Sequence, residues 1–161
     1  MTSGRLLLPL SAIALFASAS GAGADAGAGA SGGGIPGVAN PGQARIDYIL
    51  KCQGCHQPEG GGDVEHTPPL NGEVARFLHV PGGREFLARV PGVASVDLSD
   101  ERLAQLLNWT LHRFDRANVP ADFAPYSAGE VAQLRRQPLR LEREATRASL
   151  VAAIGERARG H

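Results

Sequence analysis

At 161 residues the chain is long enough for one domain with appendages but not for several independent cores. Apolar residues make up an ordinary 43%, yet aromatics only 5%, while glycine occurs 21 times, so the core is small or is built around something other than side chains. The 16 basic and 16 acidic residues cancel, which removes the basic excess that marks a nucleic-acid binder. The balance hides an asymmetry: residues 40–126 carry 8 basic and 11 acidic side chains, and residues 127–161 carry 7 and 4. Solvated helix faces account for such a pattern; docking of the basic tail to an acidic partner is the alternative.

Arg5, the apolar residues 6–17 and the small residues after them read as a secretory signal. That apolar run falls short of the roughly twenty residues a spanning helix needs. Cleavage fits after Ala19 or after Ala24, and the expected destination is the periplasm of a Gram-negative bacterium. The signal is therefore assigned to residues 1–24, and residues 25–40, rich in Gly, Ala and Ser, to a flexible linker.

Asn40 as cap and Pro41 at the first helical position open a helix expected over 41–51, with Ile46, Ile49 and Leu50 as its apolar stripe. A long loop follows through the glycines at 60–62 to Leu70. Short helices are expected over 73–80 and 84–90, separated by Pro81-Gly82-Gly83 and closed by Pro91-Gly92. The clearest helix begins after Ser99, which caps it, while Asp100 and Glu101 complement the helix dipole. Leu103, Leu106, Leu107, Leu111 and Phe114 form its apolar face, with Trp109 on the flank. Ser127 and Glu130 form a capping-box pattern for a short helix that Pro138 must end, and a last helix is expected over 141–157. No segment alternates as a strand does, so the fold class is all-α.

Both cysteines fall in Cys52-Gln53-Gly54-Cys55-His56, a C-x-x-C-H motif that reads as the attachment site of one c-type haem. Each sulfur can add to one vinyl group of the porphyrin, and the adjacent histidine is then held beneath the iron as the proximal ligand. A thioredoxin-like redox pair would sit beside a βαβ pattern, and a zinc site would need a second ligand pair; neither is present in the sequence.

With this motif in place, residues 41–116 resemble the class I cytochromes c. Tyr48 stands four residues before Cys52, where that family often has an aromatic, and Pro68-Pro69-Leu70-Asn71-Gly72 resembles its P-x-L-x-G segment. The resemblance implies that the Pro68 carbonyl accepts the ring N–H of His56 and fixes its orientation. Leu98-Ser99-Asp100-Glu101 resembles the entry to the last helix of the family, and Trp109 occupies the place of an aromatic that packs on the first helix, near Gly42. Tyr48 and Trp109 read equally as plain core. Residues 41–118 are thus expected to form the haem domain and residues 119–161 a helical extension.

The chain departs from the family at the sixth iron position. The usual methionine precedes the last helix, but the only methionine is Met1, and residues 90–97 hold neither histidine nor lysine. Among His66, His79, His112 and His161, His79 is best placed as a sixth ligand; an open or water-bound iron is the other expectation. The implied function is electron transfer with exported or membrane-bound redox partners. The alternatives are a small haem enzyme or gas- or peroxide-binding protein with an open sixth site, and a haem subunit of a dehydrogenase.

Overall fold

Asn40 accepts the Gln43 backbone N–H at 3.0 Å and Pro41 takes the first helical position, so the helix α1, Pro41–Lys51, begins where the sequence places it. It opens the fold in a computed structural model that describes residues 34–63 and 66–160, together with Met1. The remainder of the expected signal, residues 25–33 of the expected linker, and His161 lie outside the described residues. After α1 come α2 (Gln53–His56), a 3-10 turn (Val74–His79), α3 (Gly83–Arg89), α4 (Pro91–Ala94), α5 (Asp100–Asp115), a second 3-10 turn (Arg116–Asn118), α6 (Ala128–Leu134) and α7 (Arg143–Arg159). Among the described residues there is no strand, only an isolated bridge between Asp63 and Thr67.

The centre of the fold is the packing of α1 on α5. As the helical period requires, α5 buries Leu103, Leu106, Leu107, Leu111 and Phe114, and Trp109 is buried beside them. The inner face of α1 differs from the one read in the sequence. Ala44, Asp47 and Tyr48 face the core, whereas Ile46, Ile49 and Leu50 are exposed by 48%, 38% and 69%. Apolar periodicity misassigned the face because a charged residue, Asp47, occupies the inner one. Its carboxylate accepts from the Arg102 guanidinium of α5 and from Gln43 Nε2. At Gly42 a Cβ would meet only Asn40 Oδ1, and the small residue of α1 buried in the core is Ala44.

Two further polar side chains of α5 are buried and fully used. Asn108 donates to the carbonyls of Gly37 and Tyr126 and accepts from the Tyr126 N–H. Asp115 accepts from the Ala75 N–H at 2.7 Å and from Asn118 Nδ2 at 2.6 Å, which fixes the 3-10 turn against the end of α5. Buried polar groups are tolerated when satisfied in this way.

The C-terminal residues join this core. Tyr126 and Val131 belong to the same apolar cluster as Tyr48 and Leu103, while Leu139 and Leu150 form a second cluster with Phe77, Val80 and Phe86. Three arginines stitch the two parts together. Arg84 pairs with Glu130 through two bonds of 2.6 and 2.8 Å, donates to the Ala124 carbonyl and lies 4.1 Å from the Tyr126 ring centroid. Arg89 donates to the Gln137 carbonyl at 2.7 Å. Arg135 donates to the carbonyls of Ala94, Val96 and Leu98 and to Asp100.

Arg135→Ala should therefore lower unfolding stability by about 2 kcal/mol, read as a lower urea midpoint, since several hydrogen bonds from a charged, largely covered donor are lost together. A pH effect comes from His112, whose Nε2 is buried without a partner and whose pKa is pushed below its ordinary value by burial and, less, by Arg116. A histidine depressed in the folded state takes its proton first in the unfolded chain. His112 should therefore leave stability unaffected above the unfolded pKa of about 6.5 and cost stability as pH falls below it. Thermal melts of His112→Phe should show a flatter decline between pH 7 and pH 5 than the parent.

Candidate functional site

At the end of α1 the chain turns once more as α2, with the N–H groups of Cys55 and His56 both bonded to the Cys52 carbonyl at 3.2 and 2.9 Å. Residues three and four apart share a helix face, so this single turn presents Cys52, Cys55 and His56 on one side. Gly54 points away into open space. Both thiols are free: Cys55 is exposed, and Cys52 is half-buried against the main core.

Burial, with smaller contributions from Asp47 and Cys55, pushes the Cys52 thiol up to about 11. Reactive redox thiols have depressed values, so the environment of Cys52 does not suit that role. Among the described residues, no group of three or more His, Cys, Asp and Glu side chains is arranged to hold a metal ion by itself.

Burial also lowers the pKa of His56, opposed by the nearby Pro68 carbonyl. The ring nevertheless makes no well-formed hydrogen bond, and its Nδ1 is buried without a partner. An orphaned, half-buried imidazole costs free energy unless something else completes it. Leu70, Leu78, Leu87, Val93 and Val96 also pack on the main core yet stay partly uncovered, as does Cys52. Two free thiols, an uncommitted imidazole and incompletely covered apolar side chains fit a covalently held haem.

The loop after His56 is tightly built. Gln57 takes a positive φ of 62°, its side chain donates to the Gly62 carbonyl at 2.6 Å, and the Gly62 N–H returns to the His56 carbonyl at 3.1 Å. Gly60 lies under Phe114, so closely that a Cβ would stand 2.7 Å from the ring, and its carbonyl receives the N–H groups of Leu70 and Asn71. These bonds bring Pro68 back to His56. Tyr48 closes the arrangement from α1: its hydroxyl donates to the Gln57 carbonyl at 2.5 Å, and its ring lies 4.9 Å from Phe114 and 5.5 Å from Trp109. Motif reading had no means of finding Gln57, Gly60 or Phe114, whose roles arise from loop closure.

The remaining histidines are placed apart from this turn in their bonding. His79 Nε2 is engaged with the Asn118 carbonyl at 2.8 Å, beside Arg76, Ile154 and Arg157. His66 is exposed and turned to Asp63. His112 packs 6.2 Å from the Phe123 ring, on the side of α5 that also holds Asn108.

This chain is 36% identical over 107 residues to a cytochrome c-552 of Thermus thermophilus, covering 55% of this chain and 82% of the relative. A second cytochrome c-552, from a further strain of Thermus thermophilus, matches at 36% over 107 residues and 72% of its own length. No protein-family model matches the chain. No solved structure matches it either.

Loop closure can be tested at two glycines. Gly62→Ala places a Cβ against the Thr67 carbonyl at φ +63°, so the variant should mature with much less covalent haem per polypeptide and lose about 2 kcal/mol or more of stability. Gly54→Ala, with nothing near its Cβ, should load as the parent does.

Proposed function

Since the chain belongs to the class I-like cytochromes c, which carry covalent haem c and act in electron transfer, we propose that it is an exported, mono-haem carrier serving redox proteins of the periplasm or membrane. The single observation that carries the site assignment is the turn that puts Cys52, Cys55 and His56 on one face beside Pro68. When bound, the haem supplies the one-electron couple of its iron. Cys52 and Cys55 would hold it by thioether bonds, and His56, with the Pro68 carbonyl beside its ring, would be the proximal ligand. Tyr48, Trp109 and Phe114 exclude water behind that turn and hold it in place. In this reading residues 41–118 carry the haem, and residues 119–161 brace them.

Export rests on the apolar N-terminal run. No helix among the described residues is long and apolar enough to cross a membrane.

The sixth iron position is proposed to be open or water-bound. His79 as ligand would have to give up the Asn118 carbonyl, and Asn118 in turn holds Asp115 and Gly72. That observation also favours a second reading, a haem protein that binds a small gas or peroxide at the open position.

The purified protein should retain its haem through acid-acetone extraction, and Cys52→Ala with Cys55→Ala should lose it. Extractable haem in the parent would refute the assignment. The ferric protein should lack the near-infrared methionine-to-iron band. It should also bind carbon monoxide when reduced, with an affinity that His79→Ala leaves unchanged. A low-spin parent that binds carbon monoxide only after His79→Ala would restore His79 as the ligand.

A further inference from the structure

Between the two 3-10 turns and the last turns of α7 lies a cleft of about 280 Å³, open to solvent and lined by Arg76, His79, Asn118, Ile154, Arg157 and Ala158. No residue assigned to the haem lines it. Its positive charge is only partly spent. Arg76 meets both carboxylate oxygens of Glu73 through Nη1 alone, at 3.0 and 3.1 Å, which leaves Nη2 and Nε uncommitted. The Arg157 side chain has no partner among the described residues. Two guanidinium groups lining one cleft repel each other, and an anion between them turns that repulsion into attraction.

The remaining polar groups narrow the choice of anion. Because a carbonyl oxygen only accepts, the 2.8 Å contact between His79 Nε2 and the Asn118 carbonyl makes Nε2 the protonated nitrogen of the neutral ring and leaves Nδ1 as an acceptor. That Nδ1 has no partner among the described residues and is not closed off from solvent. Asn118 Nδ2 is spent on the Gly72 carbonyl and on Asp115, so the free atom of that side chain, Oδ1, is an acceptor too. The cleft therefore combines cationic donors with unfilled acceptors. A carboxylate or a sulfate accepts only and would set its lone pairs against Nδ1. Hydrogen phosphate accepts from both guanidinium groups and keeps, at neutral pH, a hydroxyl that can donate to Nδ1.

We propose that this cleft binds inorganic phosphate, which bridges Arg76 of the first 3-10 turn to Arg157 of α7 and donates its hydroxyl to His79. The site goes beyond the carrier reading and does not depend on it. Bound phosphate fastens the end of α7 to the core, where the attachment otherwise rests on Leu150 and the partly buried Ile154. A lipid surface is the competing source of the same group, but the phosphodiester of a lipid headgroup lacks the hydroxyl.

Isothermal titration calorimetry of the haem-loaded full chain at neutral pH, with sodium phosphate and sodium sulfate at matched ionic strength, tests this. Phosphate should saturate and bind about fivefold or more tighter than sulfate, the cost of leaving the acceptor unpaired. Arg157→Gln should weaken phosphate by about tenfold, the loss of a charged hydrogen bond. Arg159→Gln, two positions on and with its guanidinium lying back toward Gly155, should leave it unchanged. In His79→Ala the preference for phosphate over sulfate should vanish while anion binding persists. Arg157 is exposed and unpartnered, so its variant keeps the fold and carries the test should His79→Ala fail to mature. Equal affinity of the parent for phosphate and sulfate would overturn the proposal, as would unaltered phosphate binding by Arg157→Gln or the absence of saturable binding. So would tighter binding to phosphatidylglycerol vesicles than to free phosphate, which would make the cleft a membrane contact.

Discussion

Tyr48 is where the constraints of this small protein meet. Its ring fills the angle between α1 and α5 against Trp109 and Phe114, and its hydroxyl holds the carbonyl that follows the C-x-x-C-H turn. Burial raises its pKa to about 12, so it remains a hydrogen-bond donor at any ordinary pH. Without that bond, the Gln57 carbonyl would be left without its aromatic anchor, and the loop that returns Pro68 to His56 would lose its fixed starting point. The C-x-x-C-H turn is thus positioned by the same residue that closes the core, a practical economy in a chain with few aromatics. A bound haem would add the apolar body that the partly uncovered leucines and valines lack.

The C-terminal part is attached by a different chemistry. Val131 is fully buried in the main cluster, but the neighbouring segments meet largely through guanidinium groups on backbone carbonyls. Such a group brings five donors in a planar fork and can satisfy irregular chain that no helix or sheet ladder would serve. Segments 94–98, 124 and 137 are of this kind. The carbonyls of these irregular connections are collected by Arg84, Arg89 and Arg135.

Much of the architecture was legible because it follows from local rules. The caps at Asn40, Ser99 and Ser127 form, although the Glu130 carboxylate that a capping box would turn to Ser127 pairs with Arg84, and the apolar period of α5 identifies its buried face. The face of α1 was not legible. Its three branched apolar residues gave the stronger periodic signal, while the inner face is specified by an ion pair with Arg102, a partner 55 positions away that no local window contains. The same distance problem hid the loop closure: Gly60 must be glycine because Phe114 lies over it, and that contact exists only after folding. At the site, the motif was visible as three residues, but the orphaned Nδ1 of His56 and the elevated Cys52 pKa are properties of burial.

Residues 90–97, the segment in which the family resemblance expects a methionine, are ordered here by other means. Pro91 starts the short helix α4, the Val90 carbonyl accepts the N–H groups of Val93 and Ala94, and Arg135 takes the carbonyls of Ala94 and Val96. Every one of these bonds lies within the polypeptide, so the conformation of the segment does not depend on a side chain reaching the iron. A methionine ligand contributes both to the electronics of the metal and to the anchoring of its own loop. In this chain the second task has passed to the extension, through a residue that sits immediately after α6 and within reach of Leu98 and Asp100 at the start of α5. The absence of a methionine from residues 90–97 and the presence of residues 119–161 are therefore physically compatible: the arginine that stitches the C-terminal residues to the core also holds this segment.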